Sequence, residues 1–187
     1  MGVFRLIKAD FNRYVATGGK NKIKILLNPG FIAIAIFRFN RYLYFSLRKI
    51  PILGYLYAII SFIVLKLNQL IFGISFPENF TVGKGLFISH IGTIIVNSKC
   101  VMGENCNLAP MVVIGWGKVK GKEGFPKIGD RVWIGPGAKI FGPITIGDDV
   151  AIGANAVVNF DVSNNCTVVG VSARIIENKG SSDYISF

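Results

Sequence analysis

The sequence predicts a mainly β protein: a parallel β-helix with a short helical segment at its amino end. Three observations carry this. From about Phe76 to Ile176 an aliphatic residue returns in steps of six. It stands at Val82 and Ile88, at Val96, Met102, Leu108 and Ile114, and from Ile128 through Ile134, Ile140, Ile146 and Ile152 to Val158. Glycine directly follows many of these, at Gly83, Gly103, Gly115, Gly129, Gly135, Gly147 and Gly153. Before the repeat, residues 1–72 are basic, apolar and aromatic, with helix punctuation instead of hexads. A six-residue step is one short strand and one turn, and three steps close a triangular coil. The inward residue stacks on its equivalent about 4.8 Å away in the next coil. Glycine suits a tight corner, where a side chain is costly.

The chain thus divides into a helical segment (1–72), a β-helix (73–176) and a carboxy-terminal tail (177–187). Within the first part, Val3, Phe4, Ile7, Phe11 and Tyr14 recur at helical spacing, and Thr17-Gly18-Gly19 breaks the run. Asn28-Pro29 supplies a cap and a first-turn proline for a helix running from Phe31 to Ile50, which Pro51 ends. Residues 52–73 form a second apolar run of near-transmembrane length, with Lys66, Asn68 and Gln69 toward its end. Three readings stay open for it: packing with shallow membrane contact, packing alone, or a span. No small-residue cleavage site closes the first apolar run, so a cleavable signal is not expected.

The formal charge is +11, and ten of the Lys and Arg residues lie in residues 1–50 with one acid, Asp10. Basic residues set among Phe, Tyr and Ile suit an anionic membrane surface. Nucleic acid is the competing partner for such charge, but no nucleic-acid motif is present, and none is expected to bind. Cys100, Cys106 and Cys166 do not make a secreted disulfide framework. Cys100 and Cys106 each sit two places before an inward aliphatic and read as small core residues, in keeping with a reducing cytoplasm. No metal site is expected.

Two irregularities interrupt the hexads. Ile88 to Val96 is eight residues, and the excess falls beside His90. Ile114 to Ile128 is fourteen, so Gly115 to Pro126 is expected as a loop thrown out from a corner. Irregularities on a rigid scaffold are where sites are placed. His90 is the single histidine. Its near-neutral pKa range suits a general base on a hydroxyl, and a structural role is the alternative.

The stretches TVGKGLFISHIGTIIVN, VVIGWGKVKGKEGFPKIGDRVWIGPGAKIFGPITIGDDVAIGANAVV and VVGVSARII resemble the hexapeptide-repeat acyltransferases. The resemblance is to the serine acetyltransferase branch, including smaller relatives of capsule and exopolysaccharide synthesis. It covers roughly residues 73–176, and both spacing anomalies match it. It implies a left-handed β-helix, a homotrimer and acetyl-CoA as co-substrate in a groove between subunits. His90 would be the base in a direct attack on the thioester. Gly115, Trp116, Pro136, Ala154 and Arg174 would line the cofactor groove, with Lys127 and Lys139 as further phosphate partners.

The chain departs from the serine enzymes at three acceptor or orienting positions. Ser89 stands where they carry aspartate, Phe125 where they carry histidine, and Ser75 where an aspartate orients the base. These changes suggest a neutral acceptor such as a sugar ring. Glu78 is the nearby carboxylate that would orient His90, or else a solvent-facing cap. The expectation is an acetyl-CoA-dependent O-acetyltransferase acting on a sugar or glycan in cell-surface polysaccharide synthesis. It would be cytoplasmic and peripheral on the inner face of the membrane. A serine O-acetyltransferase and a non-catalytic β-helix scaffold are the alternatives.

Overall fold

The computed structural model describes residues 2–18 and 21–186. Gly19, one of the expected helix breakers, lies outside them. Helix α1 (Val3–Ala16) is followed by α2 (Lys22–Leu26), α3 (Pro29–Leu47) and α4 (Pro51–Phe72). The Asn28 side chain accepts from the Gly30 and Phe31 amides, and Pro29 opens the helix, as the sequence predicts. Pro51 opens α4 instead of closing α3, which ends earlier, at Leu47. The short helix α2, capped by Asn21, is absent from the sequence expectation. Gly73 ends α4 in the left-handed conformation, φ +73°.

The β-helix starts at once. Its first coil is β1 (Ile74–Ser75), β2 (Thr81–Val82) and β3 (Phe87–Ile88). The second is β4 (Ile94–Val96), β5 (Val101–Met102) and β6 (Asn107–Leu108). The third opens with β7 (Val113–Gly115), throws out β8 (Gly117–Val119) and β9 (Lys122–Gly124), and resumes with β10 (Lys127–Ile128) and β11 (Trp133–Ile134). Then come β12 (Lys139–Phe141), β13 (Thr145–Ile146) and β14 (Ala151–Ile152), and last β15 (Val157–Val158), β16 (Thr167–Val169) and β17 (Arg174–Glu177).

Three parallel sheets form the faces: β1-β4-β7-β12-β15, β2-β5-β10-β13, and β3-β6-β11-β14-β16 with β17 added antiparallel. We call them the first, second and third faces. Register stacks like on like. Along the third face Ile88 pairs with Leu108, Leu108 with Ile134, Ile134 with Ile152 and Ile152 with Val168. The inward hexad residues from Ile88 to Val158 are at most 4% exposed. Cys100 and Cys106 are buried among them.

The hexad glycines act by closeness more than by backbone freedom. A Cβ at Gly103 would stand 2.6 Å from the Gly129 carbonyl group, and one at Gly83 2.7 Å from that of Gly103. Corners with positive φ fall elsewhere, at Asn105, Arg131, Asp149 and Asn165. Asp130, Asp148 and Asn164 stitch corners together by accepting the amides of Glu104, Asp130 and Asp148.

The helices close the open end of the first coil. Asp10 and Arg38 form a buried two-bonded ion pair, with Nε–Oδ2 at 2.9 Å and Nη2–Oδ1 at 3.1 Å. Asp10 also accepts the Leu86 amide, and Arg38 donates to the Val82 and Gly83 carbonyls. Tyr14 donates to the Ile88 carbonyl at 3.0 Å. Phe31, Phe37, Phe76 and Phe80 continue the core of the coils into the helices.

The described part of the tail, to residue 186, folds over the third face of its own chain. The Tyr184 ring stacks on Trp133 at 4.3 Å, and Ser181 donates to the Arg131 carbonyl at 2.6 Å.

Candidate functional site

The widened corner between β3 and β4 carries Ser89, His90, Ile91 and Gly92. Its two extra residues are pinned to the end of α4: the Gly92 amide donates to the Phe72 carbonyl at 3.2 Å, and Ile94 to Gly73 at 2.9 Å. A Cβ on Gly92 would press on Pro110 of the next coil at 3.0 Å. The backbone is thus fixed while the imidazole is exposed. Among the described residues it has no hydrogen-bond or ion-pair partner. A fixed main chain beneath a free imidazole leaves both ring nitrogens open to a ligand.

Two of the expected cofactor residues lie along the same edge, where the third face turns into the first. Pro136 sits between β11 and β12, and Ala154 between β14 and β15. Both are exposed, and successive corners are bonded directly, Gly137 to the Pro110 carbonyl at 2.9 Å and Asn155 to that of Pro136 at 2.8 Å. Arg174, also exposed, follows the turn that closes over β15, where Ala173 donates to Val157 at 3.1 Å. Met111 is a member of this edge that sequence reasoning missed. It is exposed at φ +64°, in the corner position held one and two coils later by Gly137 (φ +75°) and Asn155 (φ +55°). A left-handed methionine is an outlier of the kind found at functional sites. The signal was a non-glycine, non-asparagine residue in a corner register.

The remaining candidates lie on the other edge of the first face, where it turns into the second. Ser75 ends β1 and Glu78 follows it in that corner. Gly115, Trp116 and Phe125 flank the hairpin β8–β9, which turns at Lys120 (φ +48°) and Gly121 (φ +79°) as a tight reversal. Alone among the seven hexad glycines, Gly115 has nothing within 4 Å of an added Cβ, so its surroundings are open space. Trp116 beside it is 56% exposed. Phe125 packs partly on the core, with the Lys99 ammonium 5.4 Å from its ring.

Two expected roles meet contrary geometry. The Glu78 carboxylate is turned to α4, where Ser61 Oγ donates to Oε1 at 2.6 Å. Asn40 donates to Ser61, Tyr57 to Asn40, and Arg41 to the Glu78 carbonyl, so Glu78 belongs to a helix-docking network and not to the imidazole. Sequence could not reveal this, because Ser61 lies in an apolar run with nothing marking its partner. Lys139 spends its ammonium on the carbonyls of Met111 and Gly137, at 2.9 and 2.8 Å, and is not a free phosphate partner. Lys120, Lys122 and Lys127 are exposed near the hairpin. A cleft of about 230 Å³ there is lined by Lys120, Lys122, Pro143 and Phe160. Among the described residues no three His, Cys, Asp or Glu side chains converge as a metal site would require.

The site is therefore split in the single chain: His90, Ser89, Pro136 and Ala154 on one edge, Ser75, Gly115, Trp116 and Phe125 on the next.

Residues 125–159 match the family described as bacterial transferase hexapeptide (six repeats). The chain is 32% identical over 182 residues to the serine acetyltransferase of Synechococcus elongatus, covering 95% of this chain and 70% of that one. It is 35% identical over 164 residues to the serine acetyltransferase of Helicobacter pylori, covering 84% and 87%. Among solved structures it resembles serine acetyltransferase of Neisseria gonorrhoeae, with a TM-score of 0.81 at 29% identity, over 95% of this chain and 66% of that one. A serine acetyltransferase in complex with CoA is similar with a TM-score of 0.78 at 25% identity, over 93% and 69%. These likenesses are to serine acetyltransferases, and they do not carry the expected closeness to capsule and exopolysaccharide enzymes.

Proposed function

Because the chain belongs to the hexapeptide-repeat transferases, with serine acetyltransferases as its relatives, we propose that it is an acetyl-CoA-dependent O-acetyltransferase whose acceptor is L-serine. The three-sided coil is read as the left-handed β-helix of that family. One observation carries the catalytic reading: a lone imidazole, exposed and, among the described residues, unpartnered on a rigid corner, in line with Pro136 and Ala154.

In this reading His90 takes the proton of the acceptor hydroxyl as its oxygen attacks the thioester carbonyl. The C–O bond forms, the C–S bond breaks, and the imidazolium returns its proton to the departing CoA sulfur. No acyl-enzyme is invoked, since the three cysteines are buried. A trimer supports the arrangement physically: a neighbour in threefold array would lay its hairpin edge beside the His90 edge and rejoin the split site. Pantetheine would then run past Ala154, Pro136 and Met111, with Arg174 toward the phosphates. A cytoplasmic setting accords with three reduced thiols.

A sugar hydroxyl is the second reading, favoured by one feature. Ser75, Ser89 and Phe125 offer no charge to an amino acid's ammonium and carboxylate. Acetyl transfer to L-serine and to a panel of sugars, read by mass spectrometry, separates the two. Faster turnover with L-serine is expected, and a preference for sugars would move the assignment to the second reading. His90→Ala should lower kcat/KM at least about 100-fold while acetyl-CoA binding, read by calorimetry, is unchanged. Undiminished turnover would remove the base.

A further inference from the structure

Helix α4 is inside out. Its two fully buried residues are polar, Ser61 and Asn68. They serve the docked face, Ser61 bonded to Asn40 and Glu78, Asn68 to the Ala33 carbonyl at 3.4 Å. The opposite face is aliphatic. Ile52, Leu56, Ile59, Ile63, Leu67 and Leu70 are spaced by three and four, so they fall within an arc of about 80° on the wheel. All six are exposed, from 48% at Ile59 and Ile63 to 81% at Leu70. The helix is 22 residues long and apolar enough to cross a membrane. A soluble core helix of that composition would be mostly buried, and this one is not.

We propose that this stripe is a docking face for the surface of an anionic lipid bilayer, with α4 lying in the plane of the interface. Charge selects the occupant. Arg5, Lys8, Lys22, Lys24, Arg48 and Lys49 are exposed in the same helical segment. Its one acid, Asp10, is buried against Arg38. A second copy set stripe to stripe would bring two such basic segments together, whereas anionic headgroups complement them. Lys66 sits at the margin of the arc, 5.6 Å from the Phe62 ring, placed to lift its ammonium to the headgroups while its stem lies on apolar surface. Exposed Tyr55 on α4 is of the amphipathic type enriched at that level.

The orientation follows from what α4 is tied to. The helix passes through Gly73 straight into β1, which pairs with β4. Ser61, midway along it, is bonded to Glu78 in the first coil. A helix crossing the bilayer would have to give up that bond and its docking on α3. Lying flat keeps both and turns only the stripe to lipid. The inference is independent of the acceptor, and its test needs no turnover.

The test is flotation of the full chain with vesicles of phosphatidylcholine alone and of phosphatidylcholine with phosphatidylglycerol. Wild type should float with the anionic vesicles, less so as salt rises, and alkaline carbonate should release it. Two double variants, Ile59→Asp/Ile63→Asp and Arg48→Glu/Lys49→Glu, should each lower partitioning at least tenfold. Their side chains are exposed, so circular dichroism should be unchanged, and Ile59→Ser/Ile63→Ser replaces the first if it is not. Three results would overturn the proposal. Equal flotation of the stripe variants removes the surface, and retention through carbonate removes the in-plane orientation. No flotation of wild type, with a smaller assembly for the stripe variant, assigns the stripe to a second copy.

Discussion

Cys106 shows how a single side chain in the coils is controlled. It faces the interior two places before Leu108 and is fully enclosed, and burial pushes its thiol up to about 12. Cys100 is pushed up to about 11 by the same cause. In the unfolded chain these thiols ionise near the ordinary value of 9.0, while the fold holds their protons. Their contribution is therefore complete below about pH 9 and fades as pH climbs toward 12. Ellman's reagent at pH 8 should label none of the three cysteines in the native chain and all three in denaturant; fast native labelling would show the core open. Sequence made both residues legible as core, because their place in the hexad is fixed by Met102 and Leu108. It also isolated His90, as the one imidazole in a widened corner. It failed at Glu78. Hexad position says where a residue stands along a coil, and nothing about which helical residue will lie against it.

At the scale of the element, the aliphatic ladder was readable because its period is a direct consequence of the coil. Glycine's position was readable too, but its cause was not. The sequence suggests corner freedom, whereas the fold places Gly103 under the Gly129 carbonyl group and leaves Gly115 beside open space. That difference predicts unlike outcomes for one substitution. Gly103→Ala forces a methyl against backbone of the next coil and should cost about 1–3 kcal/mol. Gly115→Ala meets nothing and should leave the urea midpoint within experimental scatter. Equal losses at both would mean that backbone conformation, not crowding, selects these glycines. The hairpin was foreseen as a loop because fourteen residues cannot stack as two hexads, yet its two strands leave no alternation in so short a run. Helix α2 was missed for a similar reason: five residues are too few for periodicity to register, and only the Asn21 cap marks it.

The whole molecule is held together where helices meet the first coil, and that joint was invisible in sequence. Asp10 and Arg38 are 28 residues apart in the chain and fully enclosed together. Burial pushes the Asp10 carboxyl up, against the pull of Arg38, so desolvation offsets much of what the pair gains. The pair's role is then placement, since Asp10 also holds the Leu86 amide and Arg38 the carbonyls of Val82 and Gly83. Losing one partner should be far worse than losing both. Asp10→Ala leaves a buried guanidinium uncompensated and should cost about 3–5 kcal/mol. Asp10→Leu with Arg38→Met restores apolar volume and should recover most of that loss. One apolar core runs through the helices and coils, so helical and β signals should disappear in a single urea transition for wild type and both variants. Separate transitions in Asp10→Ala, with the β-helix still standing after the helices melt, would show that the coils carry their own stability and that the helices are an attachment.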